Sequence, residues 1–99
     1  ELLKVSGKWL APGEVENCLL KHPSVKECAV VGKEDENGLI KPRAYVVVTE
    51  KTEGLESALQ QFVKETIEPY KYPREVLLLD TLPRTHLGKV DRADLRKRP

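Results

Sequence analysis

Lys89 follows Gly88 in the stretch LPRTHLGKVDR (82–92), between a proline and an acid–base pair that can open a helix. Lysine carries a compact charge on a long, flexible stem. From a loop it can reach into a cleft shared with another domain and stabilise charge developing on a carboxylate or phosphate oxygen. On the dipeptide alone, a solvated lysine is the plainer reading. A phosphate loop of the G-x-x-x-x-G-K-[ST] kind is excluded, because its first glycine falls on Pro83 and its Ser or Thr on Val90. No G-x-G-x-x-G follows a strand-like run, so a dinucleotide fold has no support. Ser6 and Ser57 have no base and orienting acid beside them, and His86 reads as an exposed loop histidine. The chain therefore lacks a complete active site, and one cationic loop cannot carry out group transfer unaided.

The elements that must position this lysine follow from periodicity. Residues 2–11 read as two short extended pieces around Ser6–Gly7, a hairpin turn. Pro12 suits the first turn of a helix, with Glu14 and Glu16 near its positive end. Val15, Cys18, Leu19 and His22 recur at helical spacing over 12–22, and the His22–Pro23 step ends the run. Residues 25–32 read as a buried strand, 33–38 as a polar turn and 43–50 as the strongest strand. Gly54 precedes a second helix with Leu55, Leu59, Phe62, Val63 and Ile67 on its apolar face. Pro69 and Pro73 fence off YKY, residues 75–80 form a third strand, and Asp91 caps a last short helix. The expected fold is α+β: a small, mostly antiparallel three-stranded sheet packed with two main helices, plus an N-terminal hairpin and a short C-terminal helix.

Ninety-nine residues make one domain near the lower limit for a single core. Seventeen basic and 16 acidic residues give a net charge of +1, which argues against a dedicated nucleic-acid binder. No apolar run is long enough for a membrane helix. Cys18 and Cys28 read as free thiols suited to a reducing cytoplasm. A metal site using Cys18 and His22 lacks a CxxC pair and a fourth ligand, so no metal is expected. The chain begins at Glu1 and contains no methionine, which reads as a piece of a longer protein.

LPRTHLGKVDR resembles the last signature of the adenylate-forming enzymes, the AMP-binding family that includes acyl- and aryl-CoA ligases. LLKVSGKWLAPGEVENCLLKHPSVKECAVVG, GLIKPRAYVVV and YKYPREVLLLD also resemble that family's C-terminal domain, in the same order. Overall likeness is greatest to benzoate-CoA ligase and related aryl-CoA ligases. The resemblance implies that residues 1–99 are a lid domain that rotates between two half-reactions. In the first, a carboxylic acid and ATP with Mg2+ give an acyl-adenylate. In the second, coenzyme A takes the acyl group. Lys89 would serve adenylation, with Pro83 and Gly88 supporting its loop. Ser6, Gly7 and Lys8 would line the pantetheine tunnel, and Tyr70, Lys71, Tyr72 and Arg74 would lie near the CoA nucleotide. The implied partners are the protein's own N-terminal domain, a small aromatic acid and CoA. The phosphate loop, the metal carboxylate, the acyl pocket and the rotation hinge would lie before Glu1, so residues 1–99 alone would be inactive.

Acetylation of Lys89, set by a lysine acetyltransferase and a deacetylase, would remove its charge. Two alternatives remain at this point. One is the same domain in a peptide-synthetase adenylating enzyme that loads a carrier-protein thiol. The other is a non-catalytic interaction module whose end, RADLRKRP, binds nucleic acid; Asp91 and Asp94 interleaved with its arginines count against it.

Overall fold

The apolar run AYVVV becomes part of the middle strand of a three-stranded sheet in the computed structural model, which describes residues 1–99. A hairpin of β1 (Leu3–Val5) and β2 (Lys8–Leu10) leads into α1 (Pro12–Leu20). Strands β3 (Val25–Glu34) and β4 (Ile40–Val48) follow, then α2 (Leu55–Thr66), a 3-10 turn (Pro69–Lys71), β5 (Glu75–Leu78) and α3 (Arg92–Lys97). The sheet order is β3-β4-β5. β3 and β4 pair antiparallel, with Val30 opposite Ala44. β5 lies parallel to β4, with Val76 opposite Ala44, because the α2 crossover brings the chain back to the end from which β4 began. The expected α+β class holds.

Both faces of the sheet are covered. Val30, Ala44, Val46 and Val76 pack with Val15 and Leu19 of α1, Leu59 and Val63 of α2, and Leu3, Val5 and Leu10 of the hairpin. Ala29, Val31, Tyr45 and Val47 point the other way, against Leu82 and Leu95. A strand buried on both sides reads as continuous apolar sequence, which is why β4 shows no alternation. The second face was not legible as such in the sequence, since Leu82 and Leu95 belong to segments read as a loop and a polar short helix.

Several boundaries differ from expectation. β3 runs on to Glu34 through the first two residues of the expected turn, because Lys33 and Glu34 pair with Lys41 and Ile40. β4 and β5 each stop two residues early. β4 begins at Ile40 rather than 43, and so contains Pro42. Pro42 pairs with Gly32 of β3, while its carbonyl accepts from Arg74 N–H at 2.9 Å on the β5 side. The missing N–H points to that same side, one residue before β5 begins, so no β3–β4 ladder bond is lost. α1 stops at Leu20, and the His22 ring instead accepts from Ser24 N–H at 3.1 Å and meets Phe62 edge-on. No helix is long and apolar enough to cross a membrane.

Tyr45 ties α3 to the second face. Its buried hydroxyl donates to the Leu95 carbonyl at 3.0 Å and accepts from Arg43 at 3.2 Å. Tyr45→Phe removes both bonds, while the Leu95 carbonyl keeps Arg98 N–H and Arg43 keeps the Arg98 and Pro99 carbonyls, so stability should fall by about 1 kcal/mol. The expected signature is a lower urea midpoint with an unchanged slope.

Candidate functional site

Lys89 sits on a small hairpin. Arg84 and Val90 form an isolated antiparallel bridge, and Asp91 N–H donates to the Pro83 carbonyl at 2.8 Å. Within it, Thr85 N–H donates to the Lys89 carbonyl at 2.7 Å, and Gly88 N–H to the Thr85 carbonyl at 2.9 Å. This pattern closes a three-residue loop whose third position favours glycine in the left-handed region. Gly88 has φ +85°, and a Cβ there would meet nothing within 4 Å, so the backbone conformation and not crowding calls for glycine. The Lys89 main chain is thus pinned while its side chain is exposed. None of the eight ion pairs of the chain engages it. Pro83 is half-buried beside Leu82, a residue of the second core.

The N-terminal hairpin turns through Ser6 (φ 53°) and Gly7 (φ 79°), the two positive φ values of a two-residue type I′ loop. Ser6 and Gly7 open on a cleft of about 360 Å³ walled by Lys4, Leu39, Ile40 and Lys41. A neighbouring cleft of about 280 Å³ shares Lys41 and includes Arg74. The Tyr70 hydroxyl donates to the Trp9 carbonyl at 3.0 Å, and Lys8 lies 4.9 Å from the Tyr70 ring centroid. Tyr72 lies between Lys64 and Arg74, at 4.2 and 4.1 Å. The fold therefore brings Lys8, Tyr70, Tyr72 and Arg74 into one aromatic–cationic surface beside the Ser6–Gly7 turn, with Lys71 buried beneath it. The elements bearing this surface pack on one face of the sheet; the Lys89 hairpin is attached to the other.

The cations of this surface are not equally free. Lys71 is buried, and its ammonium donates to both Glu14 oxygens at 2.7 and 2.8 Å and pairs with Glu68 at 2.7 Å. These bonds raise its pKa, hydrogen bonding to Glu14 first. Arg74 donates to the Tyr70 and Tyr72 carbonyls, so its guanidinium holds the turn as well as facing the cleft. Sequence reading missed Trp9, 60% exposed with Lys4 over its ring, and it missed the partners of Glu14 and Glu16. Glu14 reaches Lys71 and Glu16 reaches Arg92. No spacing rule signals pairs so far apart in the chain; only the exposed aromatic beside Lys8 was open to notice. Cys28 donates to the Glu16 carbonyl, and burial, then the Glu16 charge, pushes its thiol pKa up to about 12. That holds it protonated and unreactive.

Comparison with known proteins gives consistent matches. Residues 14–89 match the AMP-binding enzyme C-terminal domain. Benzoate–CoA ligase of Thauera aromatica is 46% identical over 99 residues, covering 97% of this chain and 19% of that protein. The 4-hydroxybenzoate–CoA/benzoate–CoA ligase of Rhodopseudomonas palustris is 42% identical over 98% of this chain and 19% of its own length. The solved benzoate CoA ligase of Burkholderia xenovorans LB400 superposes with a TM-score of 0.82 at 43% identity, over 94% of this chain and 19% of that one. The chain thus spans about a fifth of the length of the relatives it matches.

The Lys71 cluster yields a pH signature. Glu68 has a lowered pKa, chiefly through its hydrogen bond from Lys71. A depressed carboxylate contributes stability above its unfolded pKa of about 4.3, and that contribution is lost as pH falls through the folded value. Lys71→Met should therefore be less stable than wild type at pH 7, with the gap closing below about pH 4. Urea unfolding of both proteins across that range measures it.

Proposed function

The chain belongs to the AMP-binding enzyme C-terminal domain family, and we propose that it is the mobile lid of an ATP-dependent, AMP-forming carboxylate–CoA ligase acting on benzoate or a related aryl acid. The observation that carries this reading is the placement of Lys89. Its ammonium is exposed and uncommitted, on a backbone held rigid by the Gly88 hairpin. A rigid base with a free tip suits a group that must enter a cleft formed by another domain and meet developing negative charge there. In adenylation, Lys89 would face the acid's carboxylate and the α-phosphate of ATP, with Pro83 and Gly88 fixing the loop.

The aromatic–cationic surface would serve the second half-reaction. Ser6, Gly7 and Lys8 would border the pantetheine of coenzyme A, and Gly7 leaves the backbone open to close approach. Tyr70, Tyr72 and Arg74 would meet the nucleotide by stacking and charge-assisted hydrogen bonds. Lys71 would act there by holding the Tyr70 turn against α1. Because the two sets belong to opposite faces of the sheet, a rotation of the lid against an N-terminal domain would present each in turn. No three His, Cys, Asp or Glu side chains gather as metal ligands. The carboxylate that holds Mg2+ would belong to the N-terminal domain.

The aryl-acid assignment rests on likeness to the benzoate ligases, 42–46% identical across almost the whole chain. A buried and a half-buried free thiol suit a reducing cytoplasm. Lys89 is also open to a lysine acetyltransferase and deacetylase, whose product would remove the charge on which adenylation depends.

In the full-length enzyme, Lys89→Ala and Lys89→Gln should lower benzoate-dependent ATP–pyrophosphate exchange by about 100-fold or more. Thioester formation from supplied benzoyl-adenylate should change little. The isolated 99-residue chain should release no pyrophosphate from ATP and benzoate. Wild-type exchange by either variant would defeat the assignment.

A further inference from the structure

Strand β3 is an edge of the sheet, and its outward-facing backbone at Val30 has no strand to pair with. Two side chains supply the pairing. Glu16 accepts from Val30 N–H at 2.7 Å, and Arg92 donates to the Val30 carbonyl at 3.2 Å. The same two side chains bind each other at both ends, Nη1 to Oε2 at 2.5 Å and Nη2 to Oε1 at 3.0 Å. Glu16 lies on α1, over one face of the sheet; Arg92 opens α3, on the other. The clamp therefore reaches around the free edge and joins the two layers.

Its place in the chain gives it a further consequence. Arg92 is three residues beyond Lys89, directly after the Asp91 N–H that closes the hairpin on Pro83. Leu82 and Val90 pack against the second core, and few polar side-chain links join this hairpin to the sheet. Arg84 pairs with Glu27 at 2.6 Å, but both side chains are nearly half exposed, and such pairs contribute little. In the clamp Arg92 is 41% exposed but Glu16 only 14%, and the two-bond match between carboxylate and guanidinium fixes direction as well as distance. The Ser6–Gly7 hairpin does not depend on the clamp: Leu3, Val5 and Leu10 anchor it in the main core, and Tyr70 holds the Trp9 carbonyl.

We propose that Glu16, acting through Arg92, is a positioning residue for Lys89, and that adenylation depends on this clamp while thioester formation does not. The inference rests on the adenylation role proposed for Lys89. Glu16→Gln removes the charge and one of the two acceptor oxygens, while its amide oxygen can still accept from Val30 N–H. Arg92→Lys keeps the charge but loses the fork.

The test uses the full-length enzyme with benzoate as the probe acid. Glu16→Gln, Arg92→Lys, Lys89→Ala and the Glu16→Gln/Lys89→Ala double variant are compared in ATP–pyrophosphate exchange. Thioester formation from supplied benzoyl-adenylate and CoA is measured in parallel. A displaced lysine should lower exchange by about 10- to 100-fold in both clamp variants. Thioester formation should change by less than about threefold. The double variant should be no worse in exchange than Lys89→Ala, because Glu16 acts through that lysine. Wild-type exchange in the clamp variants, equal losses in both half-reactions, or a double variant lowered by the full additional factor each overturn the inference while leaving Lys89 in place. Wild-type exchange in Lys89→Ala overturns the role of Lys89 itself, and the clamp's with it.

Discussion

A nine-residue strand buried on both faces must be covered twice, and in a 99-residue chain that requirement shapes almost everything else. β4 turns Ala44 and Val46 toward α1 and α2, and Tyr45 and Val47 toward α3 and Leu82. Once the two long helices have covered one face, only the last twenty residues or so remain for the other. They contain little apolar surface, so the second layer is thin, and polar bonds complete it. Tyr45 holds the Leu95 carbonyl, and Arg43 reaches Glu75 and the carbonyls of Arg98 and Pro99. Buried polar groups of this kind are stable only when each finds a partner, and no buried side-chain polar atom here lacks one.

The thin layer is also the one that carries Lys89. A loop resting on a thick core would be held by burial. The Lys89 hairpin buries little, since His86 and Leu87 at its tip are exposed, and it is held by its own hydrogen bonds and by its ends. Its inner geometry recurs elsewhere in the chain. Asp35 and Leu39 close a loop over Gly38 with the same two backbone bonds that join Thr85 and Lys89 over Gly88. In both, the first side chain also accepts from the N–H two residues on, at 2.9 Å for Asp35 and 3.3 Å for Thr85. The Lys89 loop is thus a common turn and owes its rigidity to local bonds. What it cannot supply from within is its aim relative to the sheet.

That division explains what could be read in the sequence. The elements were legible because each depends on neighbours in the chain: helical spacing for α1 and α2, β-branched runs for β3 and β4, Ser6–Gly7 for the hairpin, Asp91 for the last cap. The turn that carries Lys89 was legible because Gly88 marks it. The clustering of Lys8 with Tyr70 was not, since the two lie 62 residues apart and meet only because α2 and the 3-10 turn bring the chain back beside β2. Nor was the commitment of Glu14 to Lys71. Placed near the start of α1, Glu14 and Glu16 read as favourable charges at a helix N-terminus. The structure shows that their carboxylates are spent on ion pairs more than fifty residues away in the chain.

These distant pairs share a feature that bears on the proposed rotation. A domain that meets different surfaces in succession must keep its shape without help from either. A cation taken partly out of water and left without a partner inside the domain would cost stability whichever surface the domain met. Here Lys71, Arg43 and Arg92 are satisfied internally, by Glu14 and Glu68, Glu75, and Glu16. Lys89 is left out of that network. A lysine with no partner of its own gains most where another domain offers negative charge, and gains little elsewhere. Other surface lysines also lack an ion pair; what sets Lys89 apart is its pinned hairpin, which in the proposed adenylation role would let it meet a substrate's charge in one orientation of the lid.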